Sequence, residues 1–130
     1  MVIDTSALTA ILFDEAEAER LGIAIEEDPV RLLSAASLVE TSIVIETRFG
    51  EAGGRELDLL VHRARIEIAS IDAVMAEVAR AAFRNWGKGR HPAALNYGDC
   101  FSYALAKTSS EPLLFKGDDF GLTDVARVEY

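Results

Sequence analysis

The sequence predicts an α/β protein with a parallel sheet and helices on both of its faces. Short apolar runs, typical of buried strands, alternate along the chain with longer amphipathic segments typical of helices. That alternation favours parallel pairing through helical crossovers. Half of the residues are hydrophobic, which is enough to bury a real core. At about 100–200 residues per domain, we expect residues 1–130 to form one domain.

The first half of the chain is expected to contain two strands and four helices. The predicted elements are, in chain order, a buried strand over 1–3, a short helix from a cap at 4–6 to 13, an exposed helix over 14–27, a strand over 30–33, and helices over 37–49 and 55–64. Asp28-Pro29 ends the exposed helix, because the residue before a proline avoids the helical region. Gly50, Gly53 and Gly54 separate the last two helices.

The second half repeats the alternation. The predicted elements are a strand over 66–71, an alanine-rich helix from an Asp72 cap to 86, a loop over 87–92, a helix over 98–108, a strand over 112–115 and a last edge strand over 125–128. Asp72 is a favourable N-cap because its carboxylate can accept from the first free N–H groups of the helix. We find no internal repeat and no linker.

The charge balance restricts how such a protein could bind nucleic acid. Lys and Arg number 13 and Asp and Glu number 22, which gives a net charge of −9. A protein that binds nucleic acid mainly by neutralising many phosphates should be basic. Because this chain is acidic, any contact with nucleic acid must be confined to a local basic patch. The single cysteine, Cys100, suits a reducing cytoplasm. Neither a signal peptide nor a membrane span is expected from the amino-terminal sequence.

Five carboxylates fall where one end of the sheet would gather them. Asp4 ends the first strand, Asp118 and Asp119 follow the fourth, and Glu40 and Asp99 begin helices next to strands. Ligands of such sheets sit beyond the carboxyl ends of the strands. Crowded carboxylates repel one another unless cations neutralise them, and Mg²⁺ or Mn²⁺ prefers oxygen ligands. With a phosphodiester substrate, such ions support hydrolysis.

Each acid also has a purely structural interpretation. Glu40 follows Ser37, and Asp99 follows Asn96, at the spacing of a capping box. Asp4 could be a turn residue, and the Asp118-Asp119 pair could be loop polars. Glu40, however, shares a helical face with Ile43, Val44 and Thr47. We expect that face to point inward, where a carboxylate needs a partner.

Four segments together resemble the VapC-like toxins of the PIN-domain family. They read MVIDTSAL at 1–8, SLVETSIVI at 37–45, LNYGDCFSYALAK at 95–107 and PLLFKGDDF at 112–120. The resemblance runs along essentially the whole chain. It implies an α/β/α sandwich and an endoribonuclease that requires Mg²⁺ or Mn²⁺. It also implies a homodimer and a small VapB-like antitoxin that blocks the active site.

The resemblance assigns the acidic cluster to Asp4, Glu40, Asp99 and one acid after the fourth strand. Asp4 and Asp99 would bind metal directly, and Glu40 would act directly or through a metal-bound water. The family commonly has a Thr or Ser two residues before its fourth acid, and that hydroxyl is missing here, so Asp118 and Asp119 both stay open as catalytic or metal-binding acids. Thr5 and Ser6 match the polar pair after the first acid. They could orient Asp4, bind a phosphate or cap the helix.

A basic strip is the remaining candidate for substrate contact. Arg80, Arg84 and Lys88 follow an i, i+4, i+8 spacing and could contact RNA phosphates beside the acidic pocket. The alternative is an ordinary solvated helix face. We interpret Cys100 as a buried structural thiol and Trp86 as packing the end of a helix. Five phenylalanines fall in apolar patterns and are predicted to be core, namely Phe13, Phe49, Phe83, Phe101 and Phe115.

A non-catalytic binding module of the same fold is the main alternative. Its acidic pocket would hold a cation or a partner's basic side chain, and no RNA would be cut. A haloacid-dehalogenase-like phosphatase would need a second acid two residues after Asp4, where this chain has Ser6. No phosphate-binding loop or dinucleotide fingerprint is present.

Overall fold

The computed structural model describes all residues, 1–130, and contains four short strands and five α-helices. In chain order they are β1 (Val2–Ile3), α1 (Thr5–Leu12), α2 (Ala18–Glu27), β2 (Leu32–Ser34), α3 (Ala35–Arg63), β3 (Glu67–Ala69), α4 (Ala73–Trp86), α5 (Tyr97–Ser109) and β4 (Leu113–Leu114), followed by a 3₁₀ turn at Phe120–Leu122.

The four strands form one all-parallel sheet in the order β3-β2-β1-β4. Successive residues of a strand point to opposite faces, so each short strand supplies both sides of the sheet. Val2 and Leu113 enter the core cluster formed with α4 and α5, whereas Ile3 and Leu114 enter the cluster formed with α1, α2 and α3. The result is the three-layer α/β/α sandwich that was predicted.

The strands are shorter than the sequence suggested. The predicted strands at 66–71 and 112–115 extend beyond β3 and β4, because the residue pattern does not by itself show where ladder pairing stops. The expected edge strand at 125–128 is wrong as a strand. It is a single parallel bridge in which Leu113 pairs with Arg127, held by hydrogen bonds of 2.8 and 2.9 Å on either side of Arg127.

The two helices predicted at 37–49 and 55–64 are joined as α3, with a kink at Gly50. Gly50 has φ 63° and ψ −160°, a conformation that glycine adopts without the steric cost of a Cβ. The helix begins two residues earlier than expected, because the Ser34 hydroxyl caps it by accepting the Ser37 N–H at 3.0 Å. The capping-box interpretation of Ser37 and Glu40 is therefore wrong.

Two expectations about buried apolar residues are also wrong. Phe49 and Phe83 are exposed, whereas Phe115 is buried in the core. The α3 face that includes Ile43 and Val44 points to solvent, with Ile43 62% exposed. The buried side of this helix is instead formed by Ser37, Thr41 and Ile45. No helix in the chain combines the length and the apolar character needed to cross a bilayer.

The cap of α4 provides a test of the fold. The Asp72 carboxylate accepts the Met75 N–H at 2.8 Å, as predicted for an N-cap. Asp72→Ala should lower the free energy of unfolding by about 1 kcal/mol, because that N–H loses its partner. Asp72→Ser should restore most of the loss. Equal denaturant midpoints for the alanine and serine variants would contradict this role of the cap.

Candidate active site

Asp4 lies at the centre of one end of the sheet. It follows β1 directly, is 2% exposed, and caps α1 by accepting the Ser6 N–H at 2.9 Å. Its Oδ2 also accepts the Ser6 hydroxyl at 2.7 Å, and its Oδ1 accepts the Ser102 hydroxyl at 2.5 Å. Three hydrogen bonds therefore fix the orientation of a buried carboxylate, which is held without a basic partner.

A chain of buried hydroxyls supports Asp4 from α3 and α5. Ser102 Oγ lies 3.1 Å from Ser37 Oγ, which lies 2.9 Å from Ser34 Oγ, and all three residues are fully buried. Sequence reasoning missed this group. The only signal was that Ser102 follows Asp99 by one helical turn; its contact with Asp4 spans 98 residues of chain.

Thr5 and Ser6 orient the acids rather than facing solvent. Ser6 donates to Asp4 and accepts the Lys116 N–H at 3.0 Å, which ties the end of β1 to the segment after β4. Thr5 donates to Glu40 Oε2 at 2.9 Å. Of the roles left open for this pair, the geometry favours orientation of carboxylates. The helix cap is Asp4 itself.

Glu40 reaches the site from the first turns of α3. Partial burial raises the pKa of its carboxyl, the Thr5 hydroxyl lowers it, and the charge of Asp4 raises it further. Gly98 lies directly against this carboxylate, and a Cβ placed on Gly98 would overlap all three of its atoms. Gly98 is therefore a second residue that sequence reasoning missed. Its position just before Asp99 was the available signal.

Asp99 caps a helix, as the structural interpretation predicted, and still has a carboxylate oxygen free to bind a metal. It forms a capping box with Asn96, whose backbone N–H donates to Asp99 Oδ2 at 2.8 Å. Oδ1 accepts no hydrogen bond from the protein. The pKa of Asp99 is raised to about 6, mainly because burial penalises the charged form. The nearby charges of other acids contribute to the rise, namely Asp4, Glu40 and Asp119.

The same electrostatic coupling distinguishes the two acids after β4. Asp118 and Asp119 are both exposed, in the turn between Gly117 and the 3₁₀ segment. Asp119 is close enough to Asp99 to raise its pKa, and Asp118 is not among the groups that do so. This electrostatic coupling supports Asp119 as the fourth acid, and Asp118 stays the predicted alternative. We call Asp4, Glu40, Asp99 and Asp119 the acidic site.

The acidic site lacks a counter-charge of its own. None of its four carboxylates forms a salt bridge, although Lys116 nearby pairs with Glu15 and Glu17. No three acidic, histidine or cysteine side chains converge tightly enough to make a preformed metal centre. The donors are all carboxylate oxygens, and Mg²⁺ is commonly held by one or two carboxylates and several waters. In its chemistry, this set fits a hard divalent cation.

The basic strip is only partly formed. Arg80 and Arg84 lie on α4 and line the cleft between α4 and α5. Lys88 lies beyond Gly87, which ends the helix, so it does not continue the i, i+4 row.

Cys100 is buried, and burial together with Asp99 raises the pKa of its thiol to about 11. Its thiol therefore stays protonated at neutral pH, and the structural interpretation is supported. Trp86 packs against the α4–α5 core, as expected.

The raised pKa of Asp99 predicts a pH-dependent stability difference. A carboxyl whose pKa is higher when folded destabilises the fold once it ionises, so the contribution of Asp99 to wild-type stability should fall as the pH rises from about 4 to 6. Without divalent metal, Asp99→Asn should therefore unfold at higher denaturant than wild type at pH 7. The difference should vanish near pH 4. A difference of equal size at both pH values would contradict the assignment.

Comparison with known proteins places the chain in a family. Residues 1–126 match the model of the PIN domain. The chain is 66% identical to a ribonuclease VapC of Mycolicibacterium smegmatis over 98% of its length and 99% of the relative, and 62% identical to ribonuclease VapC30 of Mycobacterium tuberculosis over 98% of both chains.

Solved structures agree in fold. The crystal structure of M. tuberculosis VapC20, described as a sarcin-ricin loop cleaving toxin, superposes with a TM-score of 0.79 at 18% identity, covering 98% of this chain and 97% of that one. A toxin–antitoxin complex from Klebsiella pneumoniae gives 0.71 at 19% identity, covering 99% and 97%. The chain therefore belongs to the PIN-domain family and, within it, to the VapC ribonucleases.

Proposed function

We propose that this protein is a divalent-metal-dependent endoribonuclease that hydrolyses RNA phosphodiester bonds and acts as the toxin of a toxin–antitoxin pair. The observation that supports it most directly is the acidic site: four carboxylates from distant parts of the chain, without a cationic partner, at the carboxyl end of a parallel sheet. The close relatives named ribonuclease VapC support the same activity.

Asp4, Asp99, Glu40 and Asp119 would hold the metal, with Mg²⁺ or Mn²⁺ as the expected ion. When bound, the ion supplies Lewis acidity and a water of lowered pKa for phosphodiester hydrolysis. Ser6 and Ser102 keep Asp4 oriented, and Thr5 does the same for Glu40. Arg80 and Arg84 would contact RNA phosphates beside the site, with Lys88 as a more distant contact.

The partner we propose is a VapB-like antitoxin that places a cationic side chain among the carboxylates. The uncompensated charge of the site supports this, since a basic side chain can neutralise it as a metal would. Val39 and Ile43, exposed by 58% and 62% on either side of Glu40, offer apolar contact area beside it. A structure of the complex with no basic residue near Asp4 and Asp99 would refute the idea.

Three further expectations belong to this proposal. The protein acts in the cytoplasm, it assembles as the homodimer that the family resemblance implies, and its 130 residues form one domain. Sedimentation of the purified protein, alone and with antitoxin, tests the assembly.

RNA cleavage by purified protein tests the activity. Total RNA should be cut when Mg²⁺ or Mn²⁺ is present, should survive in excess chelator, and should be cut again when metal is restored, because the carboxylates repel the phosphates without it. Cleavage that continues in chelator would refute metal dependence. Intact RNA under every metal condition would favour the non-catalytic binding module.

A further inference from the structure

A cleft between α4 and α5 opens beside the acidic site. Its volume is about 500 Å³, which lies within the range of about 300–1,000 Å³ that ligand pockets occupy. Its floor is mostly apolar and includes Ala76, Ala79 and Cys100. The mechanism outlined above does not use this floor.

Aromatic rings on the walls of the cleft are unusually exposed. Tyr97 is 78% exposed and Phe83 is 39% exposed. Tyr97 packs its ring edge-to-face on Phe101, with centroids 4.9 Å apart. That contact lies at the rim of the cleft. Exposed aromatic faces beside a cavity favour a flat, apolar ligand that can stack on them.

The charged side chains that line the cleft are both basic, although the protein as a whole carries −9. Arg80 and Arg84 line the cleft, and the Arg90 guanidinium carbon lies 5.4 Å from the centre of the Phe83 ring. Arg80 is paired only with exposed Glu77, a contact that contributes little.

The first turns of α5 separate the cleft from the carboxylates. Tyr97, Cys100 and Phe101 face the cleft, whereas Gly98 and Ser102 face Glu40 and Asp4 on the other side of the same helix. An RNA phosphate held at the acidic site would therefore have a neighbouring nucleotide next to the cleft.

We propose that this cleft seats an unpaired nucleobase of the RNA, stacked on Tyr97 and Phe83, with the flanking phosphates held by Arg80 and Arg84. The proposal deepens, and rests on, the endoribonuclease function proposed above. Base stacking on an aromatic ring beside basic side chains is the usual chemistry of single-strand recognition. The cleft would thus select cleavage sites by the base next to the cut.

Charge disfavours a second copy of this chain as the occupant. In a two-fold symmetric contact the same patch meets itself, so Arg80 and Arg84 of one copy would face those of the other. A polyanion meets no such repulsion there.

Tyr97→Ala provides the test, because its ring is mostly exposed and its loss should leave the fold intact. Tyr97→Phe keeps the ring, and Tyr130→Ala removes a different exposed aromatic from another part of the surface. Cleavage is measured on a pool of short single-stranded RNAs of random sequence, and the ends of the products are sequenced. Binding of the same pool is measured with Ca²⁺ in place of Mg²⁺, and the oligomeric state is followed by sedimentation.

We expect Tyr97→Ala to raise KM and the dissociation constant about tenfold, with little change in kcat. It should also flatten the base preference at one position beside the cut. Tyr97→Phe and Tyr130→Ala should match wild type. Unchanged affinity and unchanged base preference in Tyr97→Ala would overturn the proposal, and so would a change of oligomeric state without a change in RNA binding. If wild type cuts no RNA, the endoribonuclease function fails, while the binding measurement still decides whether the cleft holds a base.

Discussion

Asp99→Asn is expected to lower the rate of RNA cleavage about a thousandfold, equivalent to about 4 kcal/mol of lost transition-state stabilisation, without unfolding the protein. The variant removes one negative charge from the acidic site and with it a metal ligand. Its amide oxygen can still accept the Asn96 N–H, so the start of α5 should be retained. Single-turnover cleavage at saturating Mg²⁺ measures the effect, and thermal melting checks the fold.

Asp58→Asn is the matched control. Asp58 is an exposed carboxylate in a cleft with Arg65 and Glu67, at the amino end of β3 and far from the acidic site, so its variant should cut RNA at the wild-type rate.

Asp4→Asn, like Asp99→Asn, should cut RNA poorly, but it is the less clean test. Both Asp4 oxygens accept hydrogen bonds in a buried setting, and an amide group would force the Ser6 or Ser102 hydrogen bonds to rearrange. Full cleavage by both site variants would refute the acidic site.

Gly98→Ala should lower the cleavage rate by about tenfold to a hundredfold through displacement of Glu40, because misplacement of a catalytic group by about 1 Å is that costly. The added methyl group would occupy the space of the Glu40 carboxylate. The clash is with the flexible end of a side chain, so the fold can relax around it. Alanine also favours a helix over glycine by up to about 1 kcal/mol, so the melting temperature should stay the same or rise.

Gly22→Ala is the control for that experiment, since a Cβ on Gly22 in α2 would meet no neighbouring atom. It should change neither activity nor the fold. A second check combines Gly98→Ala with Glu40→Asp, whose shorter side chain leaves room for the methyl group and should recover part of the rate. Wild-type activity in Gly98→Ala would mean that the observed position of Glu40 is not needed for cleavage.

The sequence by itself determined the order of the elements and the α/β class, and it named three of the four acids that we propose for the site. Strand and helix patterns differ in period, so their alternation is visible without coordinates. Asp4 and Asp99 stand next to elements whose ends are marked by local signals, namely a strand end and a capping box. Their places after strands and at the starts of helices then pointed to one end of the sheet.

Only the tertiary structure decided which face of α3 is buried. The helix has apolar residues on more than one side, and periodicity cannot say which side meets the protein. Packing against the rest of the fold buries Thr41 and Ile45 and leaves Ile43 in solvent. Glu40 is accordingly held by Thr5, a partner 35 residues away, and not by its own helical face.

Contacts between distant segments also decided the details of the site. The preference for Asp119 over Asp118 depends on which of the two adjacent charges acts on Asp99, and the local sequence does not distinguish the two residues. The hydrogen bond from Ser102 to Asp4 and the close fit of Gly98 against Glu40 likewise join residues that are far apart in the sequence. Such contacts are set by distances across the folded chain, and those distances exist only once the sheet and its helices have packed.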